Sequence, residues 1–414
     1  MNGATGTGPT STGATSTGPT STGATSTGAT STGATSTGGR LLTVDRLLTA
    51  DGEHRDAWLV VSADGTVAAT GTGATSAAHA ALPHEHVAGT AVPGFVDQHV
   101  HGALGHDFGA ATEQEARAAA AHHHRTGSTH LVASVATASR PDLERALAVL
   151  APLVDDGTLD GVHLEGPWLS TERRGAHEAG LLRAPAPDEV EALLAAADGR
   201  LRMVTLAPEL PGALAAIGTL VAAGVTVALG HSDATADQAR AGFDAGATVV
   251  THLCNGMRPL HHREPGLLGA ALVDDRVALE LILDGEHVAR DAAELVRRAA
   301  TGRLVLVSDA MAAAGWGDGR YTIAGSPVVV RDGVALVEGG TSLAGSTGSV
   351  AGGLQRLVRE HGVGLPEAVR ATSATAAAAL GLPGTGLDVG RRADLVVLDD
   401  AAVRRVLRAG AWLD

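Results

Sequence analysis

The sequence predicts an α/β fold: a (β/α)8 TIM barrel with a small β-sandwich domain formed from both chain ends. Three observations predict it. Between residues 92 and 378 a short apolar run followed by an Ala/Leu-rich helical stretch recurs eight times. The apolar runs are near-continuous, as strands of a parallel sheet covered on both faces are. The flanking segments have another texture, short Val/Leu-rich runs broken by turn signals such as "ADG".

Along the chain, residues 1–39 form an array in which "STGAT" and "STGPT" recur from Ser11, with no charged residue before Arg40. Such a segment has almost nothing to bury and is expected to be disordered. Residues 40–91 read as the first part of the small β domain. The eight barrel strands follow in "AVPGFVDQHV", "STHLVASV", "LDGVHLEG", "LRMVTLAP", "VTVALGHS", "TVVTHLCN", "VALELILDG" and "RLVLVSDA". Helical stretches at 112–126, 141–151, 187–198 and 235–245 lie between them. The longest uncharged run, Leu210–Gly230, is broken by Pro211, Gly212, Gly218 and Gly224. It splits into a helix and a strand and falls short of the ~20 continuous apolar residues of a membrane span. Residues 379–414 return to the turn-rich texture and read as the second part of the β domain.

Composition narrows the function. Hydrophobic residues make up 44% of the 414 and aromatics 2%, so the core is built from Leu, Val, Ala and Ile. A formal charge of −15 disfavours nucleic acid and anionic membrane, which need a basic face. It leaves room for a small anionic substrate held by one local Arg. All 30 basic residues are arginine, which excludes a Schiff base, a Lys general base and a carbamylated-Lys metal bridge. The single cysteine, Cys254, cannot form an internal disulfide and fits a cytoplasmic protein. No N-terminal Arg precedes an apolar run, so no ordinary signal peptide is expected.

Polar residues gather at the C-terminal ends of the strands: Asp97, His99 and His101 on the first, His163 and Glu165 on the third. His231, His252, Asp284 and Asp309 end the fifth to eighth. In a barrel that rim is the active-site face. One histidine there is more simply a hydrogen-bonded structural residue, and a lone Asp309 a helix N-cap. Their number on one rim argues against packing alone. His99 and His101, two apart, point to one side of an extended strand. Histidines and a carboxylate from several strands suit zinc, iron or manganese. Asp309 beside such a centre could move the proton of an activated water. His122, His123 and His124 read as a helix face.

These motifs resemble the N-acetylglucosamine-6-phosphate deacetylases of the amidohydrolase superfamily. The likeness runs in order through "PGFVDQHVHG", "HLEGPWLS", "GAH", "LGHSDA", "THLCNGMRPLHHREPG", "DGEH", "SDAM" and "LAGS", covering nearly everything after the tail. It implies that Glu165, His231 and His252 hold the principal metal, and that His99 and His101 serve a second metal or none. The divalent ion would be zinc, iron or manganese, one or two per subunit. Asp309 would be the general base and acid, and His177 would help polarise the acetamide carbonyl. Ala176, Asn255 and Gly256 would contact the substrate. Arg263 and His287 would hold the sugar phosphate, reaching a neighbouring subunit's site in a homodimer. Leu343, Ala344 and Gly345 would line the pocket by the sugar. Gly256 stands where the family commonly has Ala, and Cys254 where it commonly has an aromatic.

The resemblance implies a cytoplasmic enzyme that cleaves N-acetyl-D-glucosamine 6-phosphate to glucosamine 6-phosphate and acetate in amino-sugar catabolism and cell-wall recycling. The alternatives are the galactosamine epimer as substrate, another amidohydrolase, a non-catalytic sugar-phosphate-binding barrel, or a thiol hydrolase built on Cys254. The last two are disfavoured because Glu165, His231, His252 and Asp309 are all present.

Overall fold

The computed structural model describes residues 39–49 and 52–413, with Met1 and Gly3. The repeat array, expected to be disordered, lies almost wholly outside the described residues.

Eight parallel strands form one sheet in chain order: Val96–Val100, His130–Ala136, Gly161–Glu165, Leu201–Leu206, Thr226–Leu229, Val249–Val250, Ala278–Ile282 and Leu304–Val307. These are barrel strands 1 to 8. Just past the last and first strands, backbone bonds draw the ring together. The Asp309 N–H donates to His99 O at 2.9 Å and the His101 N–H to Ala310 O at 2.8 Å. A helix follows each strand, at Glu113–Arg125, Arg140–Asp155, Pro187–Ala197, Ala213–Ala222, Ala236–Asp244, Gly266–Val273, Arg290–Ala299 and Val350–Arg359. The eight-fold repeat read in the sequence is therefore the architecture. Local chemistry starts several helices as capping rules require. Thr112 with Glu115, and Thr235 with Gln238, form reciprocal capping boxes, and the Ser139 hydroxyl accepts from the Asp142 N–H.

Side-chain alternation sorts each strand into two faces. Val162 and Leu164 of strand 3 join the outer core under the helices, while His163 and Glu165 between and beside them reach other polar groups. Inside the ring, Val96, Val132, Met203, Ala228, Val249 and Val305 form an apolar floor, closed by Ala376, Ala377 and Leu380. Another group of interior side chains is polar and hydrogen-bonded. His163 joins Ser134 and Thr205, each at 2.8 Å, and Thr205 joins Thr251 at 2.8 Å. His163, a candidate by position at a strand end, is satisfied on both ring nitrogens. His123 and His124 are buried and bonded to backbone carbonyls.

The two chain ends meet in a seven-stranded sheet. Leu395–Asp399 pairs antiparallel with His84–Pro93, which pairs parallel with Arg40–Thr49. Leu42, Leu59 and Val67 share one core with Leu395, Val397 and Leu407. One element is absent from the sequence reading. After strand 8 the chain forms a three-stranded antiparallel sheet, Gly319–Ile323, Ser326–Arg331 and Val334–Val337. Its apolar face, with Ile323, Val328 and Ala335, packs on Met311 and Ala344 beside the barrel rim. Among the described residues no helix is long and apolar enough to cross a membrane.

Candidate active site

The strand ends, with the loop after strand 3 that carries His177, place seven polar side chains around one point. Glu165 Oε1 lies 3.1 Å from His231 Nε2 and 3.0 Å from His252 Nε2, and these two nitrogens are 3.1 Å apart. Glu165 Oε2 faces the other way, 3.2 Å from His101 Nε2 and 3.3 Å from His177 Nε2. His99 Nε2 is 3.2 Å from His101 Nε2. Asp309 Oδ1 lies 3.3 Å from His101 Nε2 and 3.5 Å from His99 Nε2. All seven side chains are buried.

Ring tautomers follow from the partners. His231 Nδ1 meets the Arg173 carbonyl at 2.8 Å, an acceptor only, so Nδ1 carries the proton and Nε2 turns a lone pair inward. His177 Nε2 faces a carboxylate, so its proton sits there. Nδ1 then accepts from the Thr137 hydroxyl at 2.8 Å. The backbone is strained where it turns these groups inward: φ is 45° at His231, 26° at His252 and 47° at Asp309, the left-handed region found at functional strand ends. Gly256 has φ 59°, and a Cβ there would sit 2.8 Å from His231 Nδ1, so this glycine leaves the imidazole undisturbed.

This donor set fits a divalent cation. Two pairs of imidazole Nε2 atoms face each other at 3.1 and 3.2 Å, each pair ending on Glu165. Ligand atoms roughly 2.0–2.2 Å from a shared ion come about this close to one another. Electrostatics agree. Burial opposes charge on Asp309 and on Glu165. The positive charge of His99, with His101 beside it, holds both carboxyls well below the usual range. Burial likewise opposes charge on His99 and His101. Glu165 and Asp309 pull His99 well upward all the same, and His101 to about 9. Protons thus supply the positive charge the carboxylates demand, and a bound cation would displace them. Burial takes His177 down to about 4, so it is neutral near pH 7 and donates through Nε2.

A cleft of about 210 Å³ opens on this cluster. His101, Glu165, His177, His231, His252 and Asp309 line it, together with Ala176, Asn255, Gly256, His287, Leu343, Ala344 and Gly345. His99 lies beneath it, fully buried. The His287 Nδ1–H donates to Asp284 Oδ2 at 2.7 Å. Burial opposes the charge of His287, but that bond and the Asp284 charge raise its pKa. The cleft therefore offers an anion an imidazole whose charge persists to higher pH than that of a free histidine. Arg263 is not brought to the cleft. It is exposed, with Nη1 2.9 Å from His262 Nε2. Cys254 packs against the main core, and burial pushes its thiol up to about 11, which disfavours the thiolate a nucleophile needs.

Sequence reasoning missed several groups. Ile323, Ala324 and Thr341, from the three-stranded sheet and the loop after it, wall the cleft; the "PVVVRDGVALV" hairpin texture could have revealed the sheet. Thr137, which orients His177, and Glu280, which bonds His99, give no signal of their own.

The profile of the amidohydrolase family matches residues 90–413. The chain is 40% identical over 365 residues to an N-acetylgalactosamine-6-phosphate deacetylase of Escherichia coli O157:H7, covering 87% of this chain and 95% of that one. It is 36% identical over 359 residues to an N-acetylglucosamine-6-phosphate deacetylase of Vibrio furnissii, covering 85% and 89%. Among solved structures, a mutant N-acetyl-D-glucosamine-6-phosphate deacetylase from Mycobacterium smegmatis in complex with N-acetyl-D-glucosamine 6-phosphate superposes with a TM-score of 0.87. The identity is 47%, over 91% of this chain and 99% of that one.

Proposed function

The chain belongs to the amidohydrolase family, and we propose that within it the chain is a metal-dependent deacetylase. It hydrolyses N-acetyl-D-glucosamine 6-phosphate to glucosamine 6-phosphate and acetate, in amino-sugar catabolism. One observation carries this reading: Glu165, His231, His252, His177 and Asp309 converge at the floor of a single cleft, in a chain 47% identical to a deacetylase solved with that sugar phosphate.

Glu165, His231 and His252 would hold one divalent ion, zinc, iron or manganese. His99 and His101 would hold a second, with Glu165 between the two and Asp309 alongside. When bound, the metal supplies Lewis acidity toward water and the amide carbonyl. Asp309, ionised and at the cleft floor, accepts a proton from the attacking water at Oδ1. His177 Nε2–H donates to the carbonyl oxygen as it gains charge. Asp309 then returns its proton to the departing amine, since an unprotonated amine is too poor a leaving group. His287, held by Asp284, meets the phosphate, while Ala176, Asn255, Gly256 and Leu343–Gly345 shape the sugar pocket. Arg263, exposed on its loop, reaches the phosphate site of a second copy in a homodimer. The single unpaired cysteine suits a cytoplasmic enzyme.

The glucosamine epimer is preferred here because the relative solved with its substrate at 47% identity acts on it, against 40% for the galactosamine deacetylase. Steady-state rates on both 6-phosphates test the choice. A higher kcat/KM for the galacto epimer would reassign the substrate and leave the mechanism standing.

A further inference from the structure

Glu280 sits in the middle of barrel strand 7, Ala278–Ile282, and is fully buried. Packing does not call for a carboxylate there, and burying one without partners is costly. Its partners come from two other strands. Oε1 accepts from Gln98 Nε2 at 2.7 Å. Oε2 lies 3.1 Å from His99 Nδ1 and also accepts the His252 backbone N–H at 3.2 Å. A carboxylate only accepts, so His99 must carry a proton on Nδ1, and Nε2 is the atom that faces His101, Glu165 and Asp309 and gives up its proton to a bound cation. The first strand loses its regular register between Asp97 and Val100, so the pleat alone does not aim this ring.

We propose that Glu280 is a positioning residue that makes His99 a metal ligand: it fixes the ring tautomer and ties strands 1 and 6 at the level of the metal centre. The inference rests on the two-metal reading given above. Replacing Glu280 with Leu keeps much of the volume but removes both acceptors, so Gln98, His99 and the His252 N–H lose their shared partner. Glu280→Gln would not do this, because Gln98 can turn its unpartnered Oε1 to the new amide N–H and leave the other oxygen accepting from His99.

The test is zinc retention by the full-length, zinc-loaded protein across a chelator series, read by mass spectrometry of the metal. Wild type should hold two equivalents and His99→Asn one. Glu280→Leu should release the equivalent that His99→Asn lacks at least about tenfold more readily, the low end for loss of a group that orients a ligand. The other equivalent should stay. The double variant Gln98→Leu with Glu280→Leu buries no polar pair and shows His99 no acceptor, so it should behave like Glu280→Leu. That variant also decides the matter should Glu280→Leu not fold. Wild-type retention in either variant, with one equivalent lost in His99→Asn, overturns the role of Glu280 and leaves the metal centre intact. Equal weakening of both equivalents makes Glu280 merely structural and also overturns it. Full retention in His99→Asn refutes the second metal, and the role of Glu280 falls with it.

Discussion

Replacing Asp309 by Asn isolates the proton-transfer step from the architecture. The backbone at this position has φ 47°, a region that Asn tolerates as well as Asp. The two backbone bonds that fix the residue, its N–H to His99 O at 2.9 Å and its carbonyl accepting from Ser346 N–H at 2.7 Å, involve no side-chain atom. The variant keeps size and position and loses only the carboxylate. General acid–base catalysis contributes about 10²–10⁴-fold, so the barrier should rise by about 2.7–5.4 kcal/mol. The cluster of Glu165, His231 and His252 does not depend on the Asp309 side chain, and that metal should remain. The assay is acetate release from N-acetylglucosamine 6-phosphate, with metal content and melting temperature measured on the same preparation. Turnover within a few-fold of wild type, with metal present, would remove Asp309 from its role. A slow variant that has also lost that metal would show a structural residue instead.

Three further outcomes follow from the geometry. His177→Ala should lower kcat about 10²–10³-fold, the loss seen when an oxyanion donor is removed, with KM little changed; a KM effect alone would recast His177 as a binding residue. Asp284 raises the pKa of His287, so His287 keeps its charge to higher pH than it would alone. In Asp284→Asn the KM for the phosphorylated substrate should therefore begin to climb at a lower pH than in wild type. An unmoved profile would detach His287 from the phosphate. The Cys254 thiol, pushed up to about 11 by burial, is roughly a thousandth ionised at pH 8. It should react with a disulfide reagent far more slowly than a free thiol, and Cys254→Ala should stay active; rapid labelling that kills activity would reopen a thiol mechanism.

The barrel was legible because its signal is repeated. Eight apolar runs each ended near the rim, and the chemistry stood at those ends, where Glu165, His231, His252 and Asp309 could be read one strand at a time. Residues that act through partners were not legible. Glu280 lies on an apolar run, and two of its partners are 182 and 181 positions away, so only the closed sheet reveals what it holds. Thr137 is one hydroxyl at the end of strand 2 until His177 is seen against it. The sheet at Gly319–Val337 follows the Gly-rich "AAAGWGDG", which masks the start of its hairpin. Arg263 was assigned from resemblance rather than from any local rule, and within one subunit it stands on the surface. Cys254, the only cysteine, packs partly buried against the main core.

The most direct measurement is acetate release from N-acetylglucosamine 6-phosphate by protein stripped of metal and reloaded with zinc, iron or manganese in turn. Turnover that is absent from the stripped protein and restored by at least one of these ions is the predicted result. No turnover with any of the three, in folded protein shown to have bound the ion, would contradict the account.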